Sequence, residues 1–407
     1  MKKTTLSLIA VMAMASSLAA AEVEKKESMV SGIENITVSG DAKLYYSTDD
    51  TKIGTEKPDL FSQESAKGQV GFNIGVSADL SENVSGKINL QGISTLGLEN
   101  NLVNNVWSGG TTQTEVWASE AWVAGTLGKT TAKIGRMELD TPLVFTENWS
   151  VSSNTFESGI LLNEDIPDTT IVAGYIGRHN GGANGSIGIV DPVKNDTFSS
   201  FGNGAYVIGG INNSWEPLTA QAWYYNVTDA SKAYWLQADL DIEGIKVGAQ
   251  YGANMLNDDT LDADGNAFAV KVGYTNKDLM DLKLCGSYSQ TGDKSAFGSN
   301  FSTGGQSKLY TEMYYNFGNV TAKDTSSFKV HGSIVVPGEV GLMAQYVQAD
   351  MDKYDNTASE VTLEASKKFG GLNTSIAYMS VKDLANSSYT GSTTTENIVQ
   401  AKLNYSF

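Results

Sequence analysis

From residue 36 to residue 407, apolar and polar side chains trade places at every second position. Val70, Phe72, Ile74, Val76, Ala78 and Leu80 share one parity, and Gly71, Asn73, Gly75, Ser77 and Asp79 share the other. Successive side chains of an extended chain point to opposite faces, so this segment has one apolar face and one wet face. The same alternation recurs over 36–46, 234–242, 245–251, 268–274, 361–365 and 399–407. Each of these segments is read as a β-strand.

Several of the strands run to ten residues or more. Strands of a soluble sandwich are usually roughly five or six residues long, whereas a tilted membrane strand needs roughly nine to eleven. Aromatic side chains gather near the ends of the apolar faces at Tyr46, Tyr251, Tyr274, Tyr288, Tyr346 and Tyr405, where interfacial girdles sit.

The connections alternate in length. Short ones fall at 81–83, 126–129, 164–168, 213–216, 243–244, 276–279, 337–338 and 369–370. Longer ones fall at 48–65, 96–113, 138–154, 178–203, 227–231, 254–265, 290–325, 349–357 and 382–395. That is the rule for periplasmic turns and extracellular loops of an antiparallel, up-and-down transmembrane β-barrel. One segment competes with this count: 308–317 (KLYTEMYYNF) itself resembles a strand. Counting it gives nineteen strands and puts the later connections on the wrong sides. Assigning it to a long connection, 290–325, restores the alternation and gives eighteen strands, with sixteen as the alternative count. A bilayer core offers no water to backbone groups, so the sheet must close on itself. At that strand number the interior is too wide for side chains to fill and holds water.

The first residues stand apart from this pattern. Lys2 and Lys3 precede a short apolar stretch, Leu6 to Ala15, and Ala19-Ala20-Ala21 fits a small-residue cleavage site. Residues 1–21 are therefore expected to be a signal peptide, 22–35 a short periplasmic segment, and 36–407 a single barrel with an inserted loop at 138–154. Without Lys2 and Lys3 the formal charge of −18 becomes −20. That balance excludes a nucleic-acid partner, which needs a basic face. It suits a channel that prefers cations. One cysteine, Cys285, permits no intramolecular disulfide. After the signal segment no apolar run reaches the length of a membrane helix.

Phe407 closes the final alternating strand, two residues after Tyr405. A terminal aromatic on such a strand resembles the recognition signal read by the outer-membrane barrel assembly machinery. The stretch 133–143 (KIGRMELDTPL), followed by 154–159 (NTFESG), resembles the OprD-like porins, and most of all the major outer membrane porins of epsilon-proteobacteria. The resemblance implies an eighteen-stranded, usually trimeric channel for small hydrophilic solutes, set among outer-membrane lipid and lipopolysaccharide of a Gram-negative cell. OprD-like channels commonly carry a ladder of inward arginines that guides carboxylates. This chain departs from that pattern, with only Arg136 and Arg178.

Selectivity in such a channel belongs to the narrowest cross-section, its charges and its width. The connection 138–154, in porins of this type folded into the lumen, brings Glu138, Asp140 and Glu147 as candidate constriction acids. Lys43, Lys87, Lys133 and Arg136 are the candidate facing charges. Asp41, Asp239, Asp241, Glu360 and Glu364 fall on the wet parity, as do Lys246, Lys271, Lys283, Lys329 and Lys402. No cofactor is expected, although Asp258, Asp259, Asp262, Asp264 and Asn266 resemble part of an oxygen-donor calcium loop that lacks the closing glutamate. The two histidines, His179 and His331, belong to no nucleophile or zinc motif, so no enzyme is expected. The function expected is passive diffusion of ions and small hydrophilic solutes through a mildly cation-selective pore. The alternative is a surface adhesin or receptor using the loops 178–203 and 290–325. A secreted β-repeat fibre is disfavoured because no fixed period is visible.

Overall fold

In a computed structural model of the chain, the residues described are 33–51, 59–96, 103, 114–181, 196–257, 264–382 and 395–407. The expected signal segment and three of the calcium-loop aspartates, Asp258, Asp259 and Asp262, lie outside them.

Eighteen strands form one sheet. In chain order they are β1 (Glu34–Asp49), β2 (Ala66–Ser81), β3 (Val84–Ser94), β4 (Glu115–Leu127), β5 (Thr130–Met137), β6 (Phe156–Asn163), β7 (Thr169–His179), β8 (Ser199–Asn212) and β9 (Leu218–Val227). There follow β10 (Ser231–Ile242), β11 (Ile245–Leu256), β12 (Gly265–Asn276), β13 (Leu282–Thr291), β14 (Thr325–Val336), β15 (Val340–Met351), β16 (Asn356–Phe369), β17 (Leu372–Lys382) and β18 (Thr395–Ser406). Every strand pairs antiparallel with its sequence neighbours, and β1 also pairs with β18. That last ladder closes the barrel. Ala42 faces Tyr405 across it, and Gly40 and Phe407 exchange both backbone hydrogen bonds at 3.0 Å.

The parity read from the sequence becomes an inside and an outside. Leu44, Ile74, Val76, Ile88, Val123, Ile134, Val270 and Leu363 project outward and are exposed. Gln69, Asn89, Gln91, Gln250, Gln345 and Glu360 project inward and are buried. An apolar exterior with a polar interior inverts a soluble protein and is the arrangement hydrocarbon demands. The short connections are tight. Glu243 (φ 50°) and Gly244 (φ 88°) both adopt left-handed backbone, the requirement of a two-residue type I′ hairpin.

The segment 308–317 is not a strand. It lies inside the barrel within the connection 292–324, and its backbone is bonded to inward side chains rather than to a neighbouring strand. That explains how a strand-like sequence leaves the alternation of short and long connections intact.

Candidate functional site

Two long connections fold into the lumen and meet there. The first, 138–155, joins β5 to β6. Asp140 and Phe145 pair as an isolated bridge, and Thr141 N–H donates to the Val144 carbonyl at 3.1 Å around Pro142. Proline suits such a turn because its ring fixes the backbone angle there. The finger's tip is apolar: Leu143, Val144 and Phe145 are buried, and the Leu143 N–H reaches the Tyr225 hydroxyl of β9 at 3.4 Å.

The second connection, 292–324, joins β13 to β14 and packs on that finger. Glu147 is the knot between them. Its carboxylate accepts from Trp149 Nε1 (2.8 Å), Asn300 Nδ2 (3.0 Å), Gln306 N–H (3.1 Å) and the Thr303 hydroxyl. Asn300 Nδ2 also donates to the Phe145 carbonyl at 2.8 Å. Lys308 pairs with Asp140 and lies 4.7 Å over the Phe145 ring. A buried carboxylate is tolerated only when donors surround it, and here they do.

Beyond that knot the second connection follows the inner wall. Gln250 Nε2 donates to the Lys308 carbonyl (2.9 Å), and the Tyr310 hydroxyl donates to Asp239 (2.7 Å). Glu360 of β16 accepts the backbone N–H groups of Tyr314, Tyr315 and Asn316 at 2.9, 2.9 and 2.8 Å. The Tyr314 hydroxyl donates to Glu364 (2.6 Å), and Lys329 Nζ donates to the Glu312 carbonyl (2.8 Å). Glu312 sits within the connection itself. Its carboxylate takes the N–H groups of Ser307 (2.7 Å), Met313 (3.0 Å) and Gly318 (3.2 Å), and burial pushes its carboxyl up to about 6.

A second set of inward charges lies on β1 to β5. Lys43 lies 3.8 Å from Asp41, and Asn73 Nδ2 donates to the same Asp41 at 3.0 Å. Lys87 pairs with Glu120 at 2.5 Å, and Lys133 lies 4.0 Å over the Trp122 ring. Glu138 sits just past β5 within electrostatic reach of Lys87, Lys43, Lys133 and Glu120. Its carboxyl is raised from the ordinary range, chiefly by burial and then by repulsion from Glu120. The structure therefore brings Lys43, Lys87, Lys133 and Glu138 together at the root of the finger.

Other candidates fall elsewhere. Arg136 is not a lumen charge. It shares its parity with Ile134, which is 71% exposed on the outer face, and it pairs with Glu157 at 2.7 Å. Arg178 reaches the same Glu157 at 3.5 Å, and Phe198 covers the Arg136 guanidinium at 3.8 Å. Asp140 and Glu147 do face inward, but both fasten one loop to the other. Asp239, Glu360 and Glu364 face inward and hold the second connection. Asp241 pairs with Lys246 at 3.1 Å near the short-turn end. Tyr405 and Phe407 face outward with ring centroids 6.4 Å apart. Of the calcium-loop residues, Asp264 is exposed and Asn266 is the second residue of β12, beside Gly292. Among the described residues no group of three His, Cys, Asp or Glu side chains could hold a metal ion.

Glu120 is a functional candidate that simple alternation misses. The register of β3 against β4 slips between Asn89 and Leu90, so Ser119 and Glu120 both turn inward. Trp117 and Trp122, both buried though of opposite parity, are the signal in the sequence that such a bulge lies between them.

No protein-family model matches the chain, and no curated protein matches its sequence. Solved structures do match. The Pseudomonas aeruginosa OccK9 (OpdG) structure aligns with TM-score 0.72 at 13% identity, over 92% of this chain and 99% of that one. P. aeruginosa OccK3 (OpdO) gives 0.70 at 12% identity, over 92% and 96%. Acinetobacter baumannii OccAB1 gives 0.69 at 13% identity, over 94% and 100%. The chain has the OprD-like porin fold. In this OprD-like barrel neither arginine faces the lumen. The inward cations of the wall from β18 to β5 are lysines, and Lys43 and Lys87 each have a carboxylate beside them.

Proposed function

We propose that the protein is an outer-membrane channel for passive diffusion of ions and small hydrophilic solutes, with a mild preference for cations. The observation that carries this reading is the closed eighteen-stranded barrel, apolar outside and polar inside, whose lumen is narrowed by two connections anchored to its wall. The inward charges of β1 to β5 at the root of the finger then line the passage along which solutes move. Paired Lys43–Asp41 and Lys87–Glu120 leave little cationic surplus there, while the chain as a whole is acidic. The larger of the two loops on which an adhesin would rely, 292–324, is engaged inside the barrel, which favours the channel.

The outer face adds a reading of the assembly. Outward aromatics Tyr175, Tyr206, Tyr224, Tyr251, Tyr288 and Tyr378 girdle the barrel from β7 to β17. Over β3 to β6 the described outward positions carry no aromatic ring: Ile88, Val116, Val123 and Ile134 lie there, with the Arg136–Glu157 pair. Two of those strands, β5 and β6, are only 8 residues long. Aromatic belts belong where a wall meets lipid headgroups. We infer that β3 to β6 face a second copy of the chain, in a homotrimer, and that the rest of the girth meets lipid and lipopolysaccharide.

Single-channel recording of the purified full chain in planar bilayers tests the function. A steady ionic conductance, with a reversal potential displaced toward the cation in a salt gradient, is expected. A barrel that passes no current overturns the channel, and a displacement toward the anion overturns the cation preference.

A further inference from the structure

At the long-connection end of the barrel a cavity of about 240 Å³ opens between the upper parts of β7 to β11 and the connection 292–324. Its walls bring together two phenyl rings, Phe201 and Phe301, with His179, Ser231 and Asn254. Among the described residues no carboxylate, ammonium or guanidinium lines it. Asn254 lies on the inward parity of β11, and His179, past the register shift after Ile176, pairs with the inward Phe156, so the space belongs to the lumen side and not to the lipid side.

The polar groups there are incompletely used. Asn254 Oδ1 is buried and, among the described residues, receives no hydrogen bond. His179 Nδ1 accepts the Gly181 N–H at 3.2 Å and lies 3.0 Å from the Ser302 hydroxyl. A nitrogen that accepts from a backbone amide carries no proton, so the imidazole proton is on Nε2 and remains to be donated. The Phe201 ring packs edge-on to this imidazole, with centroids 5.0 Å apart. An unfilled acceptor and a spare donor beside aromatic rings, in a mouth-side cavity, describe a binding site better than a packing defect.

We propose that this cavity is an entrance subsite for an uncharged polyhydroxylated ring, the class of the free hexoses. The proposal rests on the channel reading and names a solute class for it. The apolar face of such a ring lies against Phe201 and Phe301. One ring hydroxyl donates to Asn254 Oδ1, and another oxygen accepts from His179 Nε2–H. An ionised solute finds no counter-charge among the described lining residues and would lose hydration on entering, so it is disfavoured.

The test uses single channels of the full chain with D-glucose added on the side of the long connections. Expected are concentration-dependent interruptions of the ion current. They should become about tenfold weaker in apparent affinity in Asn254→Leu, a change of nearly equal size, with the sugar-free conductance unchanged. Sorbitol, which has hydroxyls but no ring, and gluconate, which is charged, should interrupt about tenfold more weakly than glucose. A conducting pore that glucose leaves undisturbed overturns the subsite alone, as does an Asn254→Leu channel that responds like the parent. Calorimetric titration of the detergent-solubilised full chain with D-glucose reads the same site without current. Heat that saturates in the parent and weakens about tenfold in Asn254→Leu supports it, and no heat in the parent overturns it. Absence of ionic conductance in the bilayer strikes at the channel reading instead.

Discussion

Glu360 on β16 holds the backbone N–H of Tyr314 at 2.9 Å, and through that contact a wall strand fixes a segment more than forty residues away in sequence. The same carboxylate takes the next two amides and also receives Gln345 Nε2 at 3.2 Å. Replacing it by alanine removes the acceptor from three amides at once. Each buried amide left unpaired costs about 1–3 kcal/mol, and lumen water recovers part of that. Glu360→Ala is expected to lose roughly 2–4 kcal/mol of stability. Its open-channel current should also become noisier, because the released segment samples the lumen. Thermal unfolding followed by electrophoretic mobility of the folded barrel, with current-noise spectra, checks both.

Charge reversal at the root of the finger should move ion preference without unfolding the barrel. Lys87 and Glu120 form a pair at 2.5 Å beside Glu138. Lys87→Glu is expected to displace the reversal potential further toward the cation, and Glu120→Gln to displace it toward the anion. A several-fold change in the permeability ratio is the expected scale, since one unit charge near a narrow passage shifts the local potential by a few times thermal energy. Equal, unmoved potentials in both variants would place the passage elsewhere.

The pH dependence of stability should carry a contribution from Glu312. Burial raises its carboxyl from 4.5 in the unfolded chain to about 6 in the fold. The folded state therefore prefers the protonated form. The stabilisation is fully present below the unfolded value and is lost as pH rises through about 6. The barrel should resist thermal unfolding better at about pH 5 than at about pH 7.5, and Glu312→Gln should flatten the change across that window. An unchanged slope in the variant would assign the effect to other groups.

The face over β3 to β6 can be probed by cross-linking. In a Cys285→Ser background, Ile134→Cys should form disulfide-linked or reagent-linked dimers and trimers in membranes. Val272→Cys, outward on β12, should not. Linkage through Val272→Cys alone would place the subunit contact on the aromatic side.

The strand count, the placement of nearly every connection and the wet and greasy faces were legible because two-residue alternation is a local property. A one-sided environment writes it into each segment independently. The lumen was less legible. KLYTEMYYNF has the composition of a strand, and only the alternation of connection lengths removed it from the wall. Nothing local announces that Glu360, far along the chain, accepts its amides. Arg136 was open to a better reading, because it stands two positions after Ile134 and so shares the outward face. Glu120 needed recognition of the bulge between Trp117 and Trp122, where one extra residue shifts the parity. Asp140 and Glu147 lay on the expected connection, but their partners, Lys308 and Asn300, come from a segment whose approach no periodicity encodes.

The ladder between β1 and β18 has a kinetic meaning. Ala42 and Tyr405 become neighbours across an interval of more than 350 residues, whereas every other strand docks on one made just before it. Seventeen hairpin-like steps each close a connection far shorter than the chain, but this one waits for all of them and must overcome the largest chain entropy. Until it zips, two raw edges persist, each able to capture strands from other molecules. Folding of this protein is thus governed at its seam, and conditions that shield or template those edges should decide between maturation and aggregation.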